Sequence, residues 1–251
     1  MLKGKIAVVT GGTRGIGYAI VKKYLENGAK VILFGSRQET VDKALASLKE
    51  ENPEWEVSGA CPSLTDAKEV ADEIQAIHRK YGKIDILVNN AGIIRRQDAI
   101  EFTEQNWDDV ININLKTVFF FSQAIAKQFI AQNTGGKIIN IASMLSFQGG
   151  IRVPSYTASK SAVMGITRAL ANEWAQHNIN VNAIAPGYMA TNNTQALRED
   201  EDRSKAILDR IPAGKWGTPE DLAGAAVFLA SQAAAYINGY TVAVDGGWLA
   251  R

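Results

Sequence analysis

The sequence is poor in the residues that build disulfides and metal sites. Cys61 is the single cysteine among 251 residues, and His78 and His177 are the only histidines. One cysteine cannot form an internal disulfide or a cysteine metal cluster. The two histidines fall in different helical patterns, without a carboxylate or cysteine set at ligand spacing. The sequence therefore predicts no metal site and a reducing compartment.

An excess of one charge and long apolar runs are also lacking. Lysine and arginine number 27 against 26 aspartates and glutamates, which gives a formal net charge of +1. This balance offers no electrostatic argument for a nucleic-acid or anionic-membrane partner. The first apolar run, Ile6–Val9, is too short for a signal-peptide core, and polar side chains interrupt the longer run at 118–130. We therefore expect a cytoplasmic protein that binds neither membranes nor nucleic acid.

Short apolar runs alternate along the chain with longer segments whose apolar residues recur every three or four positions. The strand candidates are Ile6–Val9, Lys30–Phe34, Ile84–Val88, Lys137–Ala142, Asn180–Ile184 and Thr241–Val244. Such alternation is typical of βαβ units, in which helices cover both faces of a parallel sheet. No Pro-, Gly- or Ser-rich linker divides the chain. The prediction is an α/β fold: one doubly wound Rossmann-type domain over 1–251, with about seven parallel strands and helices on both faces.

The stretch at about 190–215 differs from the rest of the chain. It is strongly charged, yet Ile207 and Ile211 continue a helical apolar spacing. It directly follows a strand end, where open α/β sheets bind their ligands. We interpret it as a helical lid over the substrate, and a solvated surface helix is the alternative that its charge pattern leaves open.

A glycine-rich loop, Thr10–Gly17, joins the first strand to a helical pattern. Such a turn lets backbone N–H groups approach a pyrophosphate at the positive end of a helix dipole. Gly11 permits the tight turn, Gly15 the close approach, and Gly17 the packing of helix on strand. The spacing is Gly-x3-Gly-x-Gly instead of Gly-x-Gly-x2-Gly, so the common fingerprint is not matched. The position nevertheless favours a dinucleotide site over a plain tight turn.

The end of the second strand carries information on the cofactor. A carboxylate there would bind the ribose hydroxyls of NAD and repel a 2′-phosphate. This chain instead has Ser36 and Arg37, with Arg14 in the glycine loop. Guanidinium groups bind phosphate through charge-assisted, often bidentate bonds. The sequence thus favours NADP(H) over NAD(H), unless Arg37 merely begins a solvated helix and Arg14 stacks on the adenine.

Tyr156 and Lys160 lie one helical turn apart. A phenol with a pKa of about 10 is a poor base at neutral pH, and a nearby ammonium lowers that pKa. The pair can therefore move a proton to or from a carbonyl oxygen. Ser143 follows the strand Lys137–Ala142, and Asn114 lies in a helical segment where its amide could hold a water leading to Lys160.

Six motifs stand in the order and spacing of a known family: Thr10–Gly17, Asn89–Gly92, Asn114, Ser143, Tyr156 with Lys160, and Pro186-Gly187. Over essentially its whole length the chain resembles the short-chain dehydrogenase/reductase family. The resemblance implies that Tyr156 is the general acid/base and that Lys160 lowers its pKa and binds the nicotinamide ribose. It further implies that Ser143 orients the substrate oxygen and Asn114 holds a proton-relay water. A homotetramer, with the C-terminal segment near a subunit interface, is implied as well.

The motifs and the resemblance together predict the cofactor contacts. Cys61-Pro62-Ser63-Leu64 replaces the Asp-Leu or Asp-Val dipeptide that relatives place near the adenine, and Ser63 retains one hydrogen-bonding group there. The predicted set is Gly11, Thr13, Arg14, Gly15, Ile16, Gly17, Ser36, Arg37, Ser63, Leu64, Asn90, Ala91, Gly92, Tyr156, Lys160, Pro186, Gly187, Met189 and Thr191.

Three stretches should line the substrate pocket: 92–96, 144–152 and 188–194. Their cationic and polar residues favour a hydroxyl-rich carboxylate over a steroid or acyl chain. The predicted substrate contacts are Arg95, Ser143, Gln148, Arg152, Tyr156 and Asn193. We expect at least one of Arg95, Arg96 and Arg152 to serve a structural ion pair instead.

From about Ile84 onward the chain resembles more narrowly the sugar-acid dehydrogenases of this family. That implies interconversion of a keto and a hydroxy group at C5 of a 3-deoxy-2-keto sugar acid. An NADPH-dependent reductase of another keto sugar acid, or of a 3-oxoacyl carrier protein, is an alternative, although the acyl substrate would favour a more apolar channel. A nucleotide-sensing scaffold is the alternative without chemistry, and the joint presence of Ser143, Tyr156 and Lys160 argues against it.

Overall fold

The computed structural model describes residues 1–251 and contains one seven-stranded sheet in the order β3-β2-β1-β4-β5-β6-β7. All strand pairs are parallel. The strands are β1 Ile6–Thr10, β2 Lys30–Phe34, β3 Val57–Ala60, β4 Ile86–Asn89, β5 Gly136–Ile141, β6 Ile179–Pro186 and β7 Thr241–Val244. The predicted doubly wound parallel α/β sheet is confirmed.

Nine α-helices accompany the sheet: α1 Gly15–Glu26, α2 Gln38–Glu51, α3 Ala67–Tyr81, α4 Glu104–Ile111, α5 Thr117–Ala131, α6 Pro154–Trp174, α7 Gln195–Glu199, α8 Glu201–Leu208 and α9 Pro219–Ala230. A π-helical turn, Asn112–Lys116, lies between α4 and α5. None of these helices combines the length and apolar character required to cross a bilayer.

Two apolar clusters bury the two faces of the sheet. On one face, Ile20 of α1, Leu48 of α2 and Leu222 of α9 belong to a cluster of 25 buried residues. On the other face, α3, α5 and α6 contribute to a cluster of 18, with Phe121 and Leu170 among its members. Strands covered on both faces have nearly continuous apolar sequences, which is why short apolar runs predicted most of them.

The edge strand β3 is absent from the six strand candidates given by apolar runs. Its sequence, Val57-Ser58-Gly59-Ala60, contains a single large apolar side chain, and all four residues are half-buried. The segment is extended because β2 offers it a free edge, where Val31 pairs with Val57. Backbone pairing thus defines this strand, and side-chain pattern does not reveal it.

The central crevice opens where β1 and β4 lie side by side, because the chain winds away from this point in both directions. Open α/β sheets bind ligands at such a switch point, outside the carboxyl ends of the strands. The side chain of Asn90 donates to the carbonyls of Thr10 (2.9 Å) and Gly11 (3.0 Å). The hydroxyl of Thr10 accepts from the backbone N–H groups of Asn90 and Ala91, both at 3.0 Å. These bonds hold the glycine loop against the end of β4.

The segment predicted as a lid contains a 3-10 turn, Asn192–Thr194, followed by α7 and α8. Asp200 caps α8, since its carboxylate accepts from the backbone N–H of Arg203 at 3.0 Å. Ile207 and Ile211 are buried, whereas most of the charged residues are exposed. The segment is therefore helical with an apolar inner face, and its action as a lid stays a prediction.

Candidate active site

The glycine loop leaves the first turn of α1 free for an anion. Arg14 occupies the N-cap position without a side-chain cap, and the first turn has no acidic residue. Gly11 (φ 63°) and Gly15 (φ 55°) adopt left-handed conformations, and a Cβ on Gly17 would lie 2.2 Å from the carbonyl oxygen of Gly11. The uncapped N–H groups and the helix dipole therefore fit the pyrophosphate of a dinucleotide.

Two cations and a hydroxyl lie beside this loop. Ser36 and Arg37 follow β2, and both are exposed, as is Arg14. The side chains of the two arginines make no ion pair with the protein, so each can bind a phosphate group. Farther along, the backbone N–H of Ser63 donates to Glu69 at 2.7 Å, which fixes the turn predicted to lie near the adenine. Leu64 next to it packs against the second apolar cluster.

The loop after β6 closes the other side of the crevice. Thr191 reaches the glycine loop, because a Cβ on Gly15 would lie 3.8 Å from its methyl group. Met189 is buried, and Gly187 passes so close to Asp245 that a Cβ would lie 2.6 Å from the Asp245 Cα. Pro186 ends β6. The loop therefore lies beside the glycine loop, and its contact with the nicotinamide end of the cofactor stays a prediction.

Tyr156 and Ser143 meet at the centre of the site. Tyr156 stands in the first turn of α6, and Ser143 caps the 3-10 turn Met144–Ser146 that follows β5. Partial burial raises the pKa of the Tyr156 phenol, whereas a hydrogen bond with Ser143 and the positive charge of Arg96 lower it. The phenol and the serine hydroxyl can thus contact the same substrate oxygen.

Lys160 lies one turn further along α6 and is buried. Its Nζ donates to the carbonyl oxygen of Ile141 at 2.6 Å and lies 5.6 Å from the centre of the Tyr156 ring. Desolvation lowers the pKa of Lys160 to about 8. The hydroxyl of Ser146 donates to the Lys160 carbonyl at 2.6 Å, so the turn that presents Ser143 also anchors α6.

Asn114 is fully buried in the π-helical turn, and its amide is engaged by the protein itself. Its Oδ1 accepts from the Ile93 N–H at 2.8 Å, and its Nδ2 donates to the Ile93 carbonyl at 2.9 Å and to Ser159 at 3.3 Å. Both amide hydrogens are therefore used. Asn114 holds the chain beside Gly92, where a Cβ would lie 3.8 Å from Lys160 Nζ. The proton-relay role stays a prediction, and a water would have to use the Oδ1 lone pair or the backbone.

Both arginines predicted to contact substrate are paired with carboxylates. Arg95 binds Asp109 at 2.9 Å and Arg152 binds Asp98 at 2.9 Å. Hydrogen bonds from Gln105 and Arg95 lower the pKa of Asp109. A substrate carboxylate would have to compete with these partners. The expectation that at least one of the three arginines serves an ion pair agrees with this geometry, and the predicted substrate roles remain untested.

Of the three arginines in the predicted pocket stretches, Arg96 is the one without a carboxylate partner. It makes no ion pair, its Nη2 donates to the backbone carbonyl of Asn193 at 3.0 Å, and its charge acts on Tyr156. Among the predicted lining residues, it therefore links the lid segment to the phenol. The sequence could not separate it from Arg95, because only the fold shows which arginine lies beside Asp109.

Pattern reasoning also missed an aromatic group behind the pocket. The ring of Tyr188 lies 5.4 Å from that of Trp216 and 4.9 Å from that of Trp248. Gln148, predicted to contact substrate, accepts from the Trp248 indole N–H at 3.1 Å. Trp248 is buried within its own chain, next to the loop that follows β6. Its position after two glycines was the only signal in the sequence.

Comparison with known proteins adds to this geometry. A family model described as short chain dehydrogenase matches residues 5–202. The 2-dehydro-3-deoxy-D-gluconate 5-dehydrogenase of Dickeya dadantii is 62% identical, over 100% of this chain and 97% of that protein. The protein of the same name from Escherichia coli is 60% identical with the same coverage.

Solved structures give the same result. The gluconate 5-dehydrogenase of Burkholderia cenocepacia, in complex with NADP and tartrate, matches with a TM-score of 0.94 at 36% identity, over 100% of this chain and 97% of that chain. A structure from Agrobacterium tumefaciens with bound NADP matches with a TM-score of 0.93 at 52% identity, over 100% and 98%. The resemblance seen in the six motifs is thereby confirmed, and the chain belongs to the short-chain dehydrogenase family.

Proposed function

We propose that this protein transfers a hydride between a nicotinamide cofactor and C5 of a 3-deoxy-2-keto sugar acid, as a 2-dehydro-3-deoxy-D-gluconate 5-dehydrogenase. One arrangement carries the chemistry: the Ser143 hydroxyl lowers the pKa of the Tyr156 phenol, and the buried ammonium of Lys160 lies 5.6 Å from the centre of the Tyr156 ring. Two relatives at 62% and 60% identity over the full chain bear this name. The polar pocket wall supports such a substrate.

The chain's own residues account for the proton in this reaction. When bound, the nicotinamide supplies the hydride acceptor or donor. In the oxidising direction the C5 hydroxyl gives its proton to the Tyr156 phenolate while the C5–H bond gives up its electron pair as hydride. Ser143 holds the same oxygen by a hydrogen bond, and Lys160 stabilises the phenolate. In the reducing direction Tyr156 returns the proton to the developing alkoxide.

Arg96 provides the charge that a sugar acid requires. It is exposed, lacks a carboxylate partner and donates to the Asn193 carbonyl. Arg95 and Arg152, by contrast, already bind Asp109 and Asp98. We therefore place the substrate carboxylate at Arg96.

Replacing Arg96 by alanine should raise the KM for 2-keto-3-deoxygluconate roughly 10–100-fold, the range of a lost charge-assisted hydrogen bond. The Kd of the cofactor should hardly change. Arg79→Ala, which removes an exposed arginine from α3, is the matched control, and steady-state kinetics on both variants provides the measurement. A KM that does not respond to Arg96→Ala would assign the carboxylate to another group.

We propose NADP(H) as the preferred cofactor. The unpaired guanidiniums of Arg14 and Arg37 and the hydroxyl of Ser36 surround the end of β2, where a 2′-phosphate would lie. Two structural relatives were solved with NADP, which supports a nicotinamide cofactor.

Arg37→Ala should raise the Kd of NADPH roughly 10–100-fold, because a charge-assisted phosphate contact is lost. The Kd of NADH should change by no more than about twofold. Titration of cofactor fluorescence measures both dissociation constants. Lys43→Ala, on the exposed part of α2, controls for the loss of one surface charge. If Arg37→Ala weakens the binding of NADPH and NADH equally, Arg37 does not contact the 2′-phosphate.

One assay tests the proposed function as a whole. The purified protein is incubated with 2-keto-3-deoxygluconate, gluconate or a 3-oxoacyl thioester, each with NAD(H) and NADP(H), and the nicotinamide absorbance is followed. Turnover of the 3-deoxy-2-keto acid above the other two is expected. Turnover of the thioester alone would replace this function by an acyl reductase, and binding of cofactor without any turnover would favour a nucleotide sensor.

We also propose a homotetramer that acts in the cytoplasm. Apolar side chains on α4 and α5 are exposed in the single chain, among them Trp107 and Phe120, and so are Tyr236 and Tyr240 at the β7 edge of the sheet. Burial of these surfaces between subunits supports the assembly. Light scattering should give about 109 kDa, which is four chains of 27.2 kDa.

A further inference from the structure

The last seven residues, Asp245–Arg251, fold back onto the substrate side of their own chain; we refer to them as the tail. The indole of Trp248 is 4% exposed and packs with Met144, Ile207 and Ile211 in an apolar cluster of four buried residues. This cluster is separate from the two larger clusters that bury the sheet. The tail therefore packs on the pocket's edge and contributes nothing to the cores that hold the sheet together.

The shape of the tail is fixed by its own sequence. The carboxylate of Asp245 accepts from the N–H groups of Gly247 and Leu249, each at 2.9 Å. Gly246 (φ 65°) and Gly247 (φ 90°) are both left-handed, a conformation that side chains with a Cβ rarely adopt. A Cβ on Gly246 would also lie 3.0 Å from Ile211. These contacts place Trp248 at the C-terminal end of the lid segment.

Three separate segments meet at the Trp248 indole. Its Nε1 donates to Oε1 of Gln148 at 3.1 Å, which belongs to the loop that begins at Ser143. The guanidinium of Arg210, just beyond α8, stacks over the indole at 4.1 Å from the ring centre and donates to the same Gln148 oxygen at 3.4 Å. Arg251 donates to the carbonyl of Asp209 at 2.9 Å. The tail thus joins the lid segment to the loop that carries Ser143.

We propose that Trp248 is a positioning residue for the substrate pocket, which acts through Gln148 and Arg210 and not by touching the reacting atoms. By fastening α8 to the Met144–Gln148 loop, it keeps the lid segment closed over the position of the sugar acid. The glycine loop lies across the crevice, and the tail approaches the predicted cofactor contacts at Asp245, which lies beside Gly187 three residues before the indole. The identity of the substrate rests on the proposed function, whereas the fastening rests on the contacts alone.

Trp248→Phe removes the N–H donor and keeps a smaller aromatic ring in the cluster. The KM for 2-keto-3-deoxygluconate should rise about 5–10-fold, the range of one lost hydrogen bond, while kcat and the Kd of NADPH stay within twofold. Trypsin should cleave after Arg203 or Lys205 of α8 faster by the same about 5–10-fold, since proteolysis follows the population of the open form.

Trp174→Phe is the matched control. Trp174 ends α6, about 27 Å along the helix from Tyr156, and packs against the large cluster on one face of the sheet. It undergoes the same chemical change without facing the lid segment, so neither the KM nor the lid cleavage should change. If Trp174→Phe and Trp248→Phe give the same modest rise in both readouts, Trp248 has a general structural role and the proposal is overturned.

A double-mutant cycle tests whether Trp248 acts through Gln148. Trypsin should cleave the double variant, Trp248→Phe with Gln148→Ala, no faster than Gln148→Ala alone. The effects of substitutions in one hydrogen-bonded pair are not additive. Additive effects, or an unchanged lid cleavage in Trp248→Phe, would overturn the proposal. The cleavage measurement needs no turnover. If the sugar acid is not a substrate, the proposed function is wrong, and the cleavage rates still test the positioning role of Trp248.

Discussion

Replacing Tyr156 by phenylalanine should lower kcat by about 10²–10⁴-fold, the contribution of a positioned general acid/base. The substitution removes one oxygen and retains the ring in the first turn of α6. Ser143 then loses the phenol beside it, and neither histidine can replace that phenol, since they lie on α3 and beyond α6. Because the glycine loop is untouched, the Kd of NADPH should stay within about twofold.

Single-turnover kinetics with saturating cofactor measures this loss at the chemical step. Tyr81→Phe is the matched control. Tyr81 ends α3, far from the site, and its hydroxyl lies 3.3 Å from that of Ser58. The rate of this variant should be unchanged. A Tyr156→Phe enzyme with the rate of the unaltered protein would require another group to move the proton, and the assignment of Tyr156 would be wrong.

The fold and the glycine loop were predictable because the signals are local. A strand covered on both faces consists of apolar residues, and a helix that binds phosphate begins at a glycine turn without a cap, as α1 does. The edge strand β3 was not predicted, because β2 and not its own side chains makes Val57–Ala60 extended. Sequence pattern therefore reports what an element buries more reliably than what it pairs with.

The pocket could be predicted only as a set of polar stretches. Arg95 and Arg96 are adjacent and chemically identical, and they are distinguished by Asp109, which α4 brings to Arg95 alone. Likewise, the resemblance places the C-terminal segment near a subunit interface without a partner for Trp248, and the structure places that residue against Gln148 of its own chain. In both cases the deciding partner lies more than ten positions away, so only tertiary structure can assign the role.

Lys160→Met should lower the rate of sugar-acid oxidation at pH 7 by roughly 10–1000-fold, because an opposite charge nearby shifts a pKa by about 1–3 units. Partial burial already raises the pKa of Tyr156, and without the ammonium the phenolate forms only at still higher pH. In Lys160→Met, the rise of kcat should therefore occur at higher pH. Lys160→Arg keeps a cation at this position and should restore part of the rate.

The pH profile of the unaltered enzyme should also depend on Lys160. Burial lowers the pKa of Lys160 to about 8, so above that pH the ammonium progressively loses the charge that supports the phenolate. The oxidation rate should consequently rise with Tyr156 ionisation and then level off or fall above pH of about 8, and Lys160→Met should abolish that upper limb. Stopped-flow measurements across the pH range test both limbs. A profile that Lys160→Met leaves unchanged would show that the ammonium holds the chain at Ile141 without acting on the phenol.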